Sequence, residues 1–585
     1  MYNIVYLNNL SVVMKSLILL AALCTPFWIV AQKHDYVWMH GNYNNFYIDF
    51  NEDLNPEIHL NNIEYKFSRS LTVISDIEGN PVFYTNGCNI RNANHQIIEG
   101  GDTLLTADYF CNKWGYQNFS HGSGVTIPGF SSNEYIIFSL SQGDPLPPQP
   151  CEANRVFMHI IDMTADQGAG KVLLKEDLLI SGCFQEPTAN KHANGRDWWI
   201  ILPDNQEERF YRWLLTPSGL EGPWIQEFIN GTVDGYWYCG WSEFSPNGEW
   251  YLIKSCRKGE VLYNFDRCTG LLSNPELIEK ENQSNFCATF SPDSKFLYTI
   301  DSNSMVLSQY ELNALNIIQS KTVIARWNGK VDSFFLPAAF GYIQHGPNGK
   351  LYYWGGGSSL MHVMNFPNRQ GLECGFQQYA IQLPGTCFSA NLYYPHYRLG
   401  PIDGSSCDTL GINNLPVALF RYDLEDTLNP QQVTFTDVSS YEPTSWHWTF
   451  GDGQTSQDAN PVHTYAQGGV YEVCLVVSNA YAADTFCRQV QVGATGVHTL
   501  PALPHARVWP NPFGSTLSVQ LPALVGVSPE FVLYDLYGRV VKTARLTDFD
   551  NQIPAQDLPS GLYVWQLRWN GEVTQTGKVV KNDGR

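Results

Sequence analysis

Between residues 34 and 399 one local theme keeps returning: a short apolar or aromatic strand, a turn of Gly, Asn or Asp, and a second aromatic-rich strand. The clearest copies are Phe244-Ser245-Pro246-Asn247-Gly248-Glu249-Trp250-Tyr251 and Phe290-Ser291-Pro292-Asp293-Ser294-Lys295-Phe296-Leu297, followed by Gln344-His345-Gly346-Pro347-Asn348-Gly349-Lys350-Leu351. Fainter copies turn at Gly79-Asn80, Ser132-Asn133 and Gly195-Arg196. Turn positions 79, 133, 195, 248, 294 and 349 are separated by 54, 62, 53, 46 and 55 residues, about the length of one four-stranded sheet with its loops. Pro presets φ at the start of such a turn, and Asn, Asp or Gly completes it. A lone four-stranded sheet has two faces to cover, and stacking against like sheets around an axis buries both. The expected fold is therefore a β-propeller over 32–402. Six turns are visible, and a seventh blade is expected from strands within 36–50 joined by a late strand within 391–397.

The turn-bearing copies resemble the WD40-like propeller repeats of exported Bacteroidota proteins. Ser75-Asp76-Ile77-Glu78-Gly79-Asn80, followed by Phe83-Tyr84-Thr85-Asn86-Gly87, is similar to the first blade of that group. After a Gly/Ser/Asp-rich linker at 403–414 comes a short segment built around Trp446-His447-Trp448-Thr449-Phe450-Gly451-Asp452-Gly453. Trp446, Trp448 and Phe450 fall on one face of a strand, and Tyr471, Val473, Leu475 and Val477 fall on one face of another, which makes a sandwich core. With His463-Thr464-Tyr465 and Gly469-Val470-Tyr471-Glu472-Val473, this stretch resembles a PKD domain, an immunoglobulin-like β-sandwich, over 415–493. Beyond a second linker at 494–504, the tail (505–585) carries Val508-Trp509-Pro510-Asn511-Pro512-Phe513, then a strand-turn-strand unit at 531–541, then Leu558-Pro559-Ser560-Gly561-Leu562-Tyr563-Val564. These strings resemble the type A sorting domain of the type IX secretion system. The resemblance implies a small β-sandwich, passage through the outer membrane, and a sortase-like enzyme that removes the tail and attaches the chain to the cell surface. The expected fold class is thus all-β and multi-domain, a propeller followed by two small sandwiches.

Export agrees with the N-terminus, where Lys15 precedes an apolar run at 17–30 and Ala31 supplies a small residue, read as a signal peptide over 1–31 whose true start is placed at Met14. Pro26 interrupts the run, which is shorter than the roughly 20 residues of a spanning helix. The 35 Lys and Arg against 56 Asp and Glu leave a net charge of -21, which repels nucleic acid and anionic lipid. Membrane association is expected through covalent attachment only. An oxidised compartment favours disulfides. Short spacings nominate Cys88 with Cys111, Cys151 with Cys183, Cys256 with Cys268, Cys374 with Cys387, and Cys474 with Cys487, while Cys239 and Cys287 are placed as a bridge between neighbouring blades. Cys407, in the linker, is left over.

Catalytic patterns are sparse. No HExxH occurs among the 14 His, and His121, His192, His345 and His396 read as turn or loop hydrogen-bonding groups. Gly122-Ser123-Gly124 lacks a nucleophile-elbow frame, and Gly355-Gly356-Gly357 lacks the Gly-Lys-Ser/Thr of a phosphate loop, so both read as bends. Glu186, Asp204, Asp234 and Glu243 are the acids from which a glycosidase pair would be drawn. Trp198, Trp237 and Trp241 are the aromatic candidates for a sugar or protein site, against the alternative that they pack the blades. Asp437 and Asp452 are candidate calcium ligands or simple turn formers, and no cofactor or metal is assigned. The expected function is a non-catalytic surface protein whose propeller presents loops at one mouth of its ring to a glycan or a protein, with the PKD module as a stiff spacer. A propeller-based glycoside hydrolase or lyase, and a structural or motility-associated component, are its rivals.

Overall fold

A computed structural model describes residues 32–582 except for 41–44, 53, 62–64, 66–71, 107, 109–110, 113–123, 142–153, 183, 205–208, 228–239, 256–258, 280–286, 302–304, 333, 388–393, 425–430, 494–506, 511, 521–529, 536–537, 547–549 and 570–571. The proposed signal peptide and second linker, together with Cys151, Cys183, Cys239, Cys256, His121, Ser123, Asp234 and Trp237, lie outside the described residues. Among those described, seven antiparallel sheets follow one another along the chain: blades 1 (37–61), 2 (72–92), 3 (124–182), 4 (188–227), 5 (240–279), 6 (288–326) and 7 (342–382). Each is a meander whose first strand is innermost. The first strands of blades 1 and 2, 2 and 3, 3 and 4, 4 and 5, and 6 and 7 lie side by side.

Burial follows the radius. The innermost strand of blade 4, Thr188–Lys191, is wholly buried, whereas the outermost, Gly219–Glu227, is largely exposed. The ring closes by packing, with Trp38 edge-on to Tyr352 at 5.4 Å and His40 against Trp354 at 5.4 Å across the junction of blades 1 and 7. Among the described residues blade 1 has three consecutive strands; of the segment expected to supply a late strand, 391–393 lie outside the described residues, and from Tyr394 onward the chain is not a strand but runs within the ring.

The Ser-Pro turns show why the motif recurs. Ser245 Oγ donates to Asn247 Oδ1 at 2.6 Å and accepts from the Trp250 amide at 3.0 Å, and Ser291 repeats the pattern with Asp293 (2.7 Å) and Phe296 (2.9 Å). The side chain thus closes the hairpin before the second strand begins. Gly248, at φ +73°, is required twice over: an added Cβ would also meet Leu399 Cδ2 at 2.7 Å.

The PKD segment is a sandwich of a three-stranded and a four-stranded sheet. Trp448 pairs with Leu475 and Trp446 with Val477 in register, and Trp448, Phe450, Val473, Leu475 and Val477 form its core. The tail is a further pair of sheets around its own core of Phe513, Leu517, Phe531 and Leu567. The PKD sandwich does not stand off the ring as a spacer. Its Leu419 and Val438 pack on the core shared by blades 1 and 7, and Lys350 Nζ of blade 7 reaches Asp423 Oδ1 at 2.6 Å. Arg421 donates to the Asn365 carbonyl and pairs with Asp423.

Disulfides join Cys88 to Cys111 and Cys474 to Cys487. Two expected pairings are corrected. Cys268 bonds Cys407, not Cys256, because the linker folds back onto the turn that ends the third strand of blade 5. Cys374 is a buried free thiol in the core of blades 5 to 7, while Cys387 belongs to the core of blades 1 and 7, where its Sγ lies 3.3 Å from His40 Nδ1. The bridge assigned to Cys239 and Cys287 has one partner outside the described residues. The Cys268–Cys407 bond spans 139 residues. Replacing both cysteines by Ser is expected to lower stability by about 4–5 kcal/mol on chain-entropy grounds, read as a reduced urea midpoint under oxidising conditions and no difference from the parent in reductant.

Candidate functional site

A propeller leaves the inner edge of every innermost strand without a β partner, so its carbonyls and amides face the axis. In this chain the segment that follows blade 7 meets three of these carbonyls. Tyr394 Oη donates to the Val37 carbonyl of blade 1 at 3.1 Å, Tyr397 Oη to the Thr126 carbonyl of blade 3 at 2.9 Å, and His396 Nε2 to the Phe244 carbonyl of blade 5 at 3.0 Å. His34, at the other end of the ring's sequence, places Nδ1 2.6 Å from the Ser75 carbonyl of blade 2. Arg398 anchors the segment through two bonds to Asp35, at 2.7 and 2.6 Å, and a third to the Gln32 carbonyl at 2.8 Å. The chain then leaves under Arg267, which is buried and donates to the carbonyls of Lys191 and Gly400.

Beside this axial segment lies a second polar group. Thr289 Oγ1 donates to Glu243 Oε1 at 2.9 Å and accepts from His345 Nε2 at 2.9 Å, and the His345 ring meets His396 edge-on at 5.7 Å. Both histidines were expected in loops, where a hydrogen-bonding role is ordinary. The structure instead brings them together on the axis. Burial holds the His396 imidazole down at about 3, with the neighbouring His345 adding to the effect, so His396 is neutral and its Nε2 carries the proton that the Phe244 carbonyl accepts.

Above these groups the ring and the PKD sandwich enclose a partly open cavity of about 850 Å³. Its floor is the ring side, with Glu243, Gln344, His345 and Tyr394, and its roof carries Thr436, Tyr441 and Trp446. Gln344 is 6% exposed, and its Oε1 has no hydrogen-bond partner.

The other candidates separate. Trp198 is buried, with Lys191 Nζ 4.9 Å above its ring, and belongs to the core, not to a surface platform. The Trp241 side chain, like Trp237, lies outside the described residues. Asp204 is buried beside Arg209, with 3.8 Å between the charged atoms. Glu186 precedes the innermost strand of blade 4, and burial pushes its carboxyl well above the usual range. His192 bonds the Cys268 carbonyl. Asp437 accepts from Trp446 Nε1 at 2.8 Å, and Asp452 from His463 Nε2 at 2.9 Å, so each serves its own sandwich. Among the described residues no His, Cys, Asp and Glu gather as a metal site. Sequence reading missed Asp35, Gln344, Tyr394, Tyr397 and Arg398. The one available signal was the string Tyr394-Pro395-His396-Tyr397-Arg398, too polar and aromatic for an ordinary linker.

Comparison with known families bears on the two C-terminal modules. Residues 413–493 match the family described as PKD domain, and residues 507–582 match the family described as secretion system C-terminal sorting domain. Among solved structures, the PKD1 domain of the Vibrio cholerae metalloprotease PrtV is 33% identical, covering 13% of this chain and 96% of that chain, with a TM-score of 0.12. The PKD1 domain of Vibrio anguillarum Epp is 31% identical over 14% and 95%, with a TM-score of 0.13. A putative 6-phosphogluconolactonase from Bacteroides fragilis is 11% identical, covering 61% of this chain and 97% of that chain, with a TM-score of 0.37. Comparison with curated proteins finds no match. The chain is an all-β, multi-domain exported protein: a propeller-like ring, a PKD domain and a type IX sorting domain. That last domain implies engagement with the type IX secretion machinery and delivery to the outer surface. No described helix is long and apolar enough to cross a membrane.

Two outcomes follow from the axis. Arg398→Ala leaves Asp35 buried without its cation, and the cost expected is about 3–5 kcal/mol, measured by denaturant unfolding. The second concerns acid. His40 and His159 are held at about 3, His362 at about 4 and His396 at about 3 by burial, against an ordinary 6.5. Below about pH 6.5 the unfolded chain takes up protons that the folded chain refuses, so stability is full above that value and falls as the pH drops toward 3–4. The melting temperature is expected to decline over this window, and His396→Gln, which keeps a neutral donor for the Phe244 carbonyl, to flatten part of the decline.

Proposed function

We propose that this exported, surface-delivered protein is a non-catalytic binding protein, with a glycan or protein as its ligand, and that its ligand site lies at the mouth of the ring facing the PKD domain. The observation that carries this reading is the filling of the axis by the chain's own residues 394–398. On that side the acids are already engaged: Asp35 with Arg398, and Glu243 with Thr289 and His345. A glycosidase needs two carboxylates flanking the scissile bond, roughly 5–10 Å apart, with room for the sugar between them. At this mouth Asp35 and Glu243 serve instead as struts that hold the fold. The cavity beside them offers shape and hydrogen-bonding groups, which suits recognition.

Glu186, whose carboxyl is pushed well above the usual range by burial, is the residue on which an enzymatic alternative would turn. The purified chain is expected to retain ligands from glycan or protein panels without consuming them. Reducing-end release from any polysaccharide, lost in Glu186→Gln or Glu243→Gln while the fold persists, would overturn the binding reading in favour of a hydrolase or lyase.

A further inference from the structure

We propose that Lys350 and Asn365 are the two halves of an intramolecular isopeptide bond, formed by the folded chain itself with Asp423 of the PKD domain as the base. Lys350 stands just before the second strand of blade 7 and Asn365 just after the third. Leu351 pairs with Met364, so one step further along the ladder the two side chains come opposite each other. Lys350 Nζ lies 2.9 Å from Asn365 Oδ1, one bond from the carbon it attacks, and 2.6 Å from Asp423 Oδ1. Asn365 is held on both sides: its Nδ2 donates to the Gly375 carbonyl at 3.4 Å, and its own backbone carbonyl accepts from Arg421. Arg421 also pairs with the Asp423 carboxylate, which favours the ionised form that can take up a proton.

An amine, a carboxamide and a carboxylate in mutual contact are the parts that an amide exchange needs, and holding them together removes much of its entropic barrier. Nζ attacks Cγ of Asn365, a new C–N bond forms, and the bond from Cγ to Nδ2 breaks. Asp423 takes a proton from Nζ and returns one to the departing nitrogen, which leaves as ammonia. No oxidant, reductant or further reactant enters. An ordinary lysine is protonated and inert as a nucleophile. Burial, reinforced by the neighbouring Arg421, holds the Lys350 amine down at about 7, so a share of it is free base at neutral pH. Asn365 is the acyl donor because its carboxamide is neutral, whereas the Asp423 carboxylate, paired with Arg421, repels a nucleophile. Asp423 belongs to the first strand of the PKD sandwich, so the reaction waits until that domain has docked on the ring. The product fastens the second strand of blade 7 to the third beside that contact, whatever the chain binds.

The test is peptide mapping by mass spectrometry on the full exported chain, digested with chymotrypsin, which cuts between the two residues after Tyr352 and Trp354. The fragment holding Lys350 is expected to remain joined to the one holding Asn365, lighter than their sum by one ammonia. Lys350→Arg and Asn365→Ala are expected to give the two fragments separately. Asp423→Asn, which keeps the shape but cannot take up the proton, is expected to slow linkage in freshly synthesised chain by about a hundredfold, and Asp423→Ser replaces it if that variant misfolds. Separate fragments of full mass from the parent overturn the inference, and that result depends on no variant. A link from Lys350 to Asp423 with loss of water overturns it too, as does linkage to Asn365 at the parent's rate without the Asp423 carboxylate.

Discussion

The structure depends on how the inner edges of its blades are satisfied. Each innermost strand turns a row of backbone polar groups toward the axis, and leaving them unpaired away from water is costly. Phenol and imidazole groups from one short segment each meet one of these carbonyls, in blades 1, 3 and 5, through Tyr394, Tyr397 and His396. These side chains reach where a strand would not fit. The same contacts tie the last residues of the ring to its first, since Arg398 grips Asp35 and Gln32. Closure is thus made twice, once by aromatic packing between blades 1 and 7 and once by the polar stem through the centre.

The position of the PKD domain follows from that stem. Because 394–402 runs through the ring and exits beneath Arg267, the next domain begins at the mouth and has little slack to stand away from it. Leu419 and Val438 then complete the apolar seam, and Lys350 with Asp423 supplies a polar one. What a linear reading treats as a spacer becomes a wall of the cavity. Two modules that each fold around their own core make, between them, a concave surface that neither has alone.

The parts legible in the sequence are those whose physics is local. Ser245 and Ser291 close hairpins within five residues, so their motif repeats visibly with the blade. Trp446, Trp448 and Phe450 alternate because a strand alternates, and the sandwich can be read from them. Cys474 and Cys487 stand opposite each other on paired strands of one hairpin, which short spacing anticipates. The parts that were not legible rest on contacts between distant residues. Nothing near Tyr397 indicates that its hydroxyl will find Thr126, 271 positions earlier, and nothing near Cys374 forbids Cys387 except the two different cores they join. The seam cavity was invisible for the same reason, since its floor and roof belong to separate domains.

The Cys268–Cys407 bond gives the assembly a history as well as a shape. Such a bond does not persist in a reducing cytoplasm, so a newly made chain holds ring and linker together only by reversible contacts. Once across the inner membrane, oxidation staples the linker to blade 5, and the roof of the cavity can no longer drift from its floor. The finished assembly of ring, linker and PKD domain is in this sense a product of the journey, present in its tethered form only after export.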